Sequence, residues 1–294
     1  MLKRSIFIGN KSSISTKLNQ LLIKTEEKEA TIPIEDIGFL VIENQETYIS
    51  IPALDKLTEN NVAVIFCNNK HLPSSMLLNL DTHYIQQEVF AAQIKASEPL
   101  KKQLWRQTVK AKIHNQMLLL QNQQKDFKVL EFHKSKTLSG DSDNREAMAA
   151  AHYWKNLFNF QFKRERNGQY PNLFLNYGYT ILRAATARAL SGSGLLNTIG
   201  IHHRNKYNAF CLADDIMEPY RPWIDAKVIQ IVNNFHEQEL TTAIKAKLLE
   251  TLTDTVFFKN SKSPLMVGLS KTTASLQQCF MGTETKIKYP KLWN

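Results

Sequence analysis

The stretch YIQQEVFAAQIKASEPLKKQLWRQTVKAKIHNQMLLL, from Tyr84 to Leu120, decides the fold. Val89, Phe90, Ile94, Leu100, Leu104, Trp105, Val109, Ile113, Met117 and Leu120 recur through it at helical intervals, with no strand punctuation between them. This periodicity predicts a long helix or a helix pair. Upstream, Ser5-Ile6-Phe7-Ile8, Ile37-Gly38-Phe39-Leu40-Val41-Ile42, Thr47-Tyr48-Ile49-Ser50-Ile51 and Val62-Ala63-Val64-Ile65-Phe66 read as strands, set apart by turns such as Glu43-Asn44-Gln45. Residues 52–60, with Leu54 and Leu57 three apart behind Pro52, suit one short amphipathic helix among them. Downstream, helical runs continue at 146–160, 171–191, 223–235 and 241–253, with loops at 139–143 and 191–194. The expected fold is α+β: a small, mostly β domain over residues 1–82, a linker at 83–88, and a larger all-α domain over 89–294 that carries the chemistry.

Composition narrows the function. A chain of 294 residues, 43% hydrophobic and 22% charged, is an ordinary globular sequence, which excludes disorder, collagen and a disulfide miniprotein. Lys and Arg number 37 against 27 Asp and Glu, a formal charge of +10 that attracts polyanions, nucleic acid first and anionic membrane second. Cys67, Cys211 and Cys279 are odd in number and form no CxxC clip, so they read as buried thiols of a reducing compartment. No apolar signal segment follows Lys3-Arg4, and the least charged stretch, 167–182, is broken by Asn, Gln, Gly and Pro. A cytoplasmic protein with no membrane partner is expected.

Three places in the helical domain concentrate ligand-type side chains. In the first, Gly140-Asp141-Ser142-Asp143-Asn144-Arg145-Glu146, a polar loop enters an Ala-rich helix; Asp143 as N-cap with Glu146 three residues on would also make a purely structural capping box. The second is Gly200-Ile201-His202-His203-Arg204, where adjacent histidines are either ligands or structural. In the third, Asp214-Asp215-Ile216-Met217-Glu218-Pro219-Tyr220-Arg221-Pro222, Asp215 and Glu218 share a face if helical, again with a capping box as the structural alternative. Together they offer two kinds of oxygen donor and an imidazole, a set suited to Mg²⁺ or Mn²⁺ rather than Zn²⁺. Hard-cation ligands on a basic protein fit phosphodiester chemistry, with Arg145, Arg164, Arg166, Arg183, Arg188 and Arg204 as candidates to hold DNA phosphates. No Walker loop, GxGxxG or GxSxG elbow competes. Lys101, Lys102, Arg106, Lys110 and Lys112 read as a solvated helix face, with a nucleic-acid path beside Trp105 as the alternative.

Asn144-Arg145-Glu146-Ala147, Leu175-Asn176-Tyr177-Gly178-Tyr179, Gly200-Ile201-His202-His203 and the run from Leu212 to Pro222, taken in order, resemble the CRISPR-associated spacer integrase/endonuclease family, the universal subunit of the adaptation complex. Residues 32–41 and 63–66 resemble that family's β domain, the likeness runs to about residue 235, and the spelling of the His and acidic motifs is most like the type II branch. The resemblance implies a catalytic and metal-binding set of Glu146, His203 and Glu218 around Mg²⁺ or Mn²⁺, with Asp215 auxiliary and His202 a rival to His203. It further implies a homodimer that joins a small ferredoxin-like adaptation subunit in a heterohexamer, captures a short double-stranded DNA, and inserts its 3′-hydroxyl ends into a CRISPR repeat by transesterification. The type II RNA-guided effector nuclease is the implied helper. Two other readings stand beside it: a non-catalytic basic nucleic-acid-binding module, and a metal hydrolase of small phosphate esters, which the basic excess disfavours. Residues 259–294 are either a basic tail that touches DNA or partner, or a solvated end behind a packed helix near 273–280.

Overall fold

The computed structural model describes residues 3–79, 83–158, 160–165, 168–235 and 237–293. The chain divides into two compact units, Met1–Thr82 and His83–Asn294.

The first unit runs β1 (Arg4–Ile8), β2 (Ser13–Lys17), β3 (Gln20–Lys24), β4 (Glu29–Pro33), β5 (Ile37–Ile42), β6 (Tyr48–Ile49), α1 (Ile51–Glu59), β7 (Ala63–Cys67) and β8 (Pro73–Leu77). One sheet has the order β1-β5-β7-β8, parallel but for β7–β8, and the other the order β4-β3-β2-β6. β5 is buried at every position, which is why its sequence is a continuous apolar run rather than an alternation. Ser50 caps α1, accepting from the amide of Ala53, and Pro52 occupies its first turn. Ile14, Leu21, Ile34, Leu40, Leu57 and Val64 form the core.

The second unit runs α2 (Gln86–Lys95), α3 (Glu98–Asn122), α4 (Lys128–Lys136), α5 (Arg145–Leu157), α6 (Asn172–Gly192), α7 (Cys211–Met217), α8 (Arg221–Asn234), α9 (Thr242–Glu250), β9 (Thr255–Phe258), β10 (Ser261–Pro264) and α10 (Leu265–Phe280). α2 begins at Gln86, inside the stretch read as a linker. The stretch from Tyr84 to Leu120 is a pair rather than one helix, because Ser97 caps a new helix, accepting from the Leu100 amide, and Pro99 fits only its first turn. α6 is buried on most of its surface and serves as the central helix of the unit. The unit is helical but not all-α, since β9 and β10 pair antiparallel as a hairpin. All three cysteines are buried, and none of them is in a disulfide. Among the described residues no helix is long and apolar enough to cross a membrane.

The segment beyond α10 is not a solvated tail. Tyr289 shares a hydrogen bond with Thr108 of α3 at 2.8 Å, and Ile287 and Leu292 are buried. Buried Asn115 of α3 donates to the carbonyls of Pro219 at 2.8 Å and Pro290 at 3.2 Å and accepts from the Leu292 amide at 3.1 Å. One side chain thus ties the end of the chain to the turn that carries Glu218.

Candidate active site

The entry to α5 places Glu146. Asn144 sits in the left-handed region at φ 55° and offers no side-chain cap. Asp141 caps the helix instead, its carboxylate accepting from the amides of Arg145 at 2.9 Å and Glu146 at 3.0 Å. Asp143, the cap expected from the sequence, accepts from Arg145 Nε at 2.5 Å. The positive φ of Asp141 and Asn144 turns the loop so that the earlier acid reaches the amides. Burial raises the Asp141 carboxyl above its usual range against the pull of those amides.

His203 is placed by Asp215. That carboxylate is fully buried in α7 and accepts from the amides of Ile201 at 2.7 Å, His202 at 3.0 Å and His203 at 3.2 Å, and from His203 Nδ1 at 2.6 Å. Such wrapping requires Gly200, where a Cβ would lie 2.5 Å from the His203 carbonyl and 2.7 Å from the Asp215 carboxylate. The hydrogen bond His203 donates to Asp215 raises its pKa, burial opposes the rise, and the charges of Asp215, Glu218 and Asp214 add to it. With Nδ1–H committed to Asp215, Nε2 carries the lone pair, the arrangement by which a carboxylate orients a ligating histidine. His202 stacks flat on Trp105 with centroids 4.1 Å apart, a packing role.

Glu218 opens a 3-10 turn, Glu218–Tyr220, between α7 and α8, where Pro219 and Pro222 occupy helix starts that need no amide donor. α8 lies close on α6 at Gly178, where a Cβ would meet Ile224 Cγ2 at 2.4 Å. Glu218 Oε1 pairs with Arg221 Nη2 at 2.8 Å, and Oε2 lies 2.6 Å from Lys112 Nζ. Burial works to raise the Glu218 carboxyl, and the charges of Arg221 and Lys112 outweigh it, holding it down at about 2. Lys112 also donates to Glu146 Oε1 at 2.5 Å. Its side chain is only 12% exposed, so it does not belong to the solvated face to which the sequence assigned it.

Beside Glu218 lies a cavity lined by Lys112, Gln116, Trp154, Arg164, Tyr179, Arg221 and Asp225. Arg221 and Arg164 stand over the Tyr179 ring at 4.5 and 5.4 Å. Fully buried Asp225 accepts from Tyr153 Oη at 2.6 Å and from Tyr179 Oη. Burial lifts its carboxyl to about 6, against the two tyrosine hydrogen bonds and the charges of Arg221 and Arg164.

The arginines read as DNA candidates separate. Arg164 donates to Asn172 Oδ1 at 2.9 Å and Asn176 Oδ1 at 2.6 Å and reaches the cavity. Arg145 pairs with Asp143, and Arg204 with Glu98 at 2.6 Å on an exposed face. Arg183 is bidentate to Asp214 at 2.6 and 2.9 Å, and Arg188 is buried, so it is withdrawn from any DNA-facing surface. Arg166 lies outside the described residues. Lys112, Arg221 and Asp225 escaped the sequence reading, although Lys112, seven residues after Trp105, falls on the buried stripe of α3, and a lysine there signals a buried charge.

Among the described residues no three Asp, Glu, His or Cys side chains enclose a cation as they stand. Two carboxylates with a pre-oriented imidazole beside them are nonetheless the donor types a Mg²⁺ or Mn²⁺ takes. Glu218 Oε2 is buried, and the cation it faces is the Lys112 ammonium at 2.6 Å. The residues fit the ion.

The family model described as CRISPR associated protein Cas1 matches residues 6–259. The CRISPR-associated endonuclease Cas1 of Neisseria meningitidis serogroup C (strain 8013) is 37% identical over 293 residues, 98% of this chain and 96% of the relative. Among solved structures, a casposase bound to integration product superposes with a TM-score of 0.80 at 18% identity, over 97% of this chain and 92% of that one. A chain of a Cas6-RT-Cas1–Cas2 complex superposes with a TM-score of 0.75 at 19% identity, over 100% of this chain and 36% of that one.

Proposed function

The chain belongs to the Cas1 family, and on that premise we propose that it is a metal-dependent DNA endonuclease and integrase of CRISPR adaptation, of the type II kind. The observation that carries the reading is that Glu146 and Glu218, from separate helices, both reach the Lys112 ammonium, while the His203 imidazole, held by Asp215, is near enough to Glu218 for their charges to interact. Glu146, Glu218 and His203 Nε2 would hold Mg²⁺ or Mn²⁺, which supplies charge neutralisation at phosphorus and eases deprotonation of the attacking hydroxyl.

In the joining step a 3′ oxygen of the incoming duplex forms a bond to phosphorus of the repeat strand and the P–O3′ bond of that strand breaks. The proton of the attacking hydroxyl leaves to solvent and one returns to the departing 3′ oxygen, so the reaction is isoenergetic in phosphodiester bonds. With water as the nucleophile the same displacement is endonucleolytic cleavage. The nucleophile belongs to the DNA, so this chain contributes orientation and charge: Asp215 fixes the imidazole, while Arg221 and Arg164 bring fixed positive charge to the cavity beside Glu218, suited to nonbridging phosphate oxygens. The assembly proposed is a homodimer joined to a small ferredoxin-like subunit in a heterohexamer on double-stranded DNA, with the RNA-guided effector nuclease as helper; the Cas1–Cas2 complex among the structural neighbours supports the partner.

The test is integration of a labelled short duplex with 3′-hydroxyl ends into a supercoiled plasmid bearing a CRISPR repeat, with the small partner, in Mn²⁺ or EDTA. Product that requires Mn²⁺ and is lost in His203→Ala is expected. Binding of the duplex without joining under any metal would favour a non-catalytic nucleic-acid-binding module instead.

A further inference from the structure

The ammonium of Lys112 occupies the point on which the two acidic ligands converge, 2.5 Å from Glu146 Oε1 and 2.6 Å from Glu218 Oε2. Three features mark it as a stand-in for a second cation rather than a permanent partner. Both of its close contacts are carboxylate oxygens, the donor type a divalent ion takes. Arg221 independently grips Oε1 of the same carboxylate at 2.8 Å, so Glu218 has a second anchor if the ammonium leaves. The third is room to move: Lys112 also lines the cavity that runs on past Gln116 and Trp154 to Asp225, and a lysine head rides on a flexible four-carbon stem. No three-ligand enclosure exists among the described residues while the ammonium stands between the acids.

We propose that Lys112 is an internal counter-cation, which holds Glu146 and Glu218 together in the metal-free protein and is displaced into the adjoining cavity when a divalent ion takes its place. The inference rests on the reading of Glu146, His203 and Glu218 as metal ligands. No bond is made or broken; one cation exchanges for another between two carboxylates. The two acids would otherwise repel each other in a poorly solvated site, so Lys112 is a positioning residue whose presence weakens metal affinity by direct competition.

The experiment is calorimetric titration of the full-length protein with Mn²⁺, without DNA, for wild type, Lys112→Met, Lys112→Gln and Glu218→Gln, with melting curves in EDTA and in Mn²⁺. Loss of the competitor should tighten Mn²⁺ binding about tenfold or more, equivalent to roughly 1.4 kcal/mol. It should also lower the EDTA melting temperature and enlarge the rise that Mn²⁺ produces. Lys112→Gln keeps a polar head between the acids and carries the test if Lys112→Met does not fold. Unchanged or weaker Mn²⁺ affinity in the folded variant overturns the inference and leaves the metal site standing. Wild type that binds no Mn²⁺, or binding unaltered by Glu218→Gln, removes the ligand assignment itself and the inference with it.

Discussion

Glu218 and Asp225 are two buried carboxylates seven residues apart, 5% and 0% exposed, facing the same cavity, and their pKa values are pushed in opposite directions. Burial pushes both carboxyls up. Around Glu218 the answer is cationic, Arg221 and Lys112, and the group stays ionised down to about pH 2. Around Asp225 the direct partners are the hydroxyls of Tyr153 and Tyr179, and the group titrates at about 6. Burial alone therefore does not set the charge of an acid; the charge of what touches it decides. One acid stays an anion far below neutrality, and the other takes up a proton about one pH unit below it.

The sharpest way to break this contrast is Glu218→Gln, which leaves Arg221 and Lys112 without their shared partner. Denaturant titration should show a loss of about 3–5 kcal/mol, the range for breaking a buried ion pair. Strand transfer should fall beyond the roughly 10–100-fold that follows loss of an outer partner of a metal ligand. Stability equal to wild type would mean that ion pairing does not separate the two acids. Asp215→Asn comes next, with about a 10–100-fold loss of metal affinity or strand transfer, because the imidazole loses its orienting acceptor.

The pH dependence separates the pair in sign. Asp225 has its folded pKa raised, so the folded state holds the proton more tightly and its contribution is full below the unfolded value and lost as pH rises through about 6. Glu218 has its folded pKa lowered, so its contribution is present above the unfolded value and lost as pH falls toward about 2. The stability of wild type minus that of Asp225→Asn should drop by about 2.4 kcal/mol from pH 4 to 7, at 1.36 kcal/mol per pKa unit. A flat difference would place Asp225 with the ionised group. The smallest effect belongs to Arg204→Ala, outside both settings: the melting temperature should not move, while the salt slope of DNA binding should fall by about 1 if Arg204 meets a phosphate.

Much of the fold was legible because burial was written as periodicity. β5 and β7 are apolar runs, and α1 follows its proline. β2, β3 and β4 were not seen: SISTK, QLLIK and EATIP are short, half-buried and partly polar, and only their pairing makes them strands. In the site, the chain positions of Glu146, His203 and Glu218 were visible as motifs, and the meeting of Glu146 and Glu218 at Lys112 was not. Asp141 displaced Asp143 as the cap because of local backbone turns that spacing cannot express. Lys112 was assigned to solvent on charge alone, whereas its period along α3 carried the opposite information.

Asn115 has a consequence in time as well as in space. Its partners Pro290 and Leu292 lie 175 and 177 residues further along the chain. At roughly 5–20 residues per second of synthesis, with early segments folding first, α3 waits on the order of ten to thirty-five seconds before that amide is satisfied. The same amide grips the carbonyl of Pro219, next to Glu218, so the tether of the turn that carries the acid is complete only once residues 290–292 have been made.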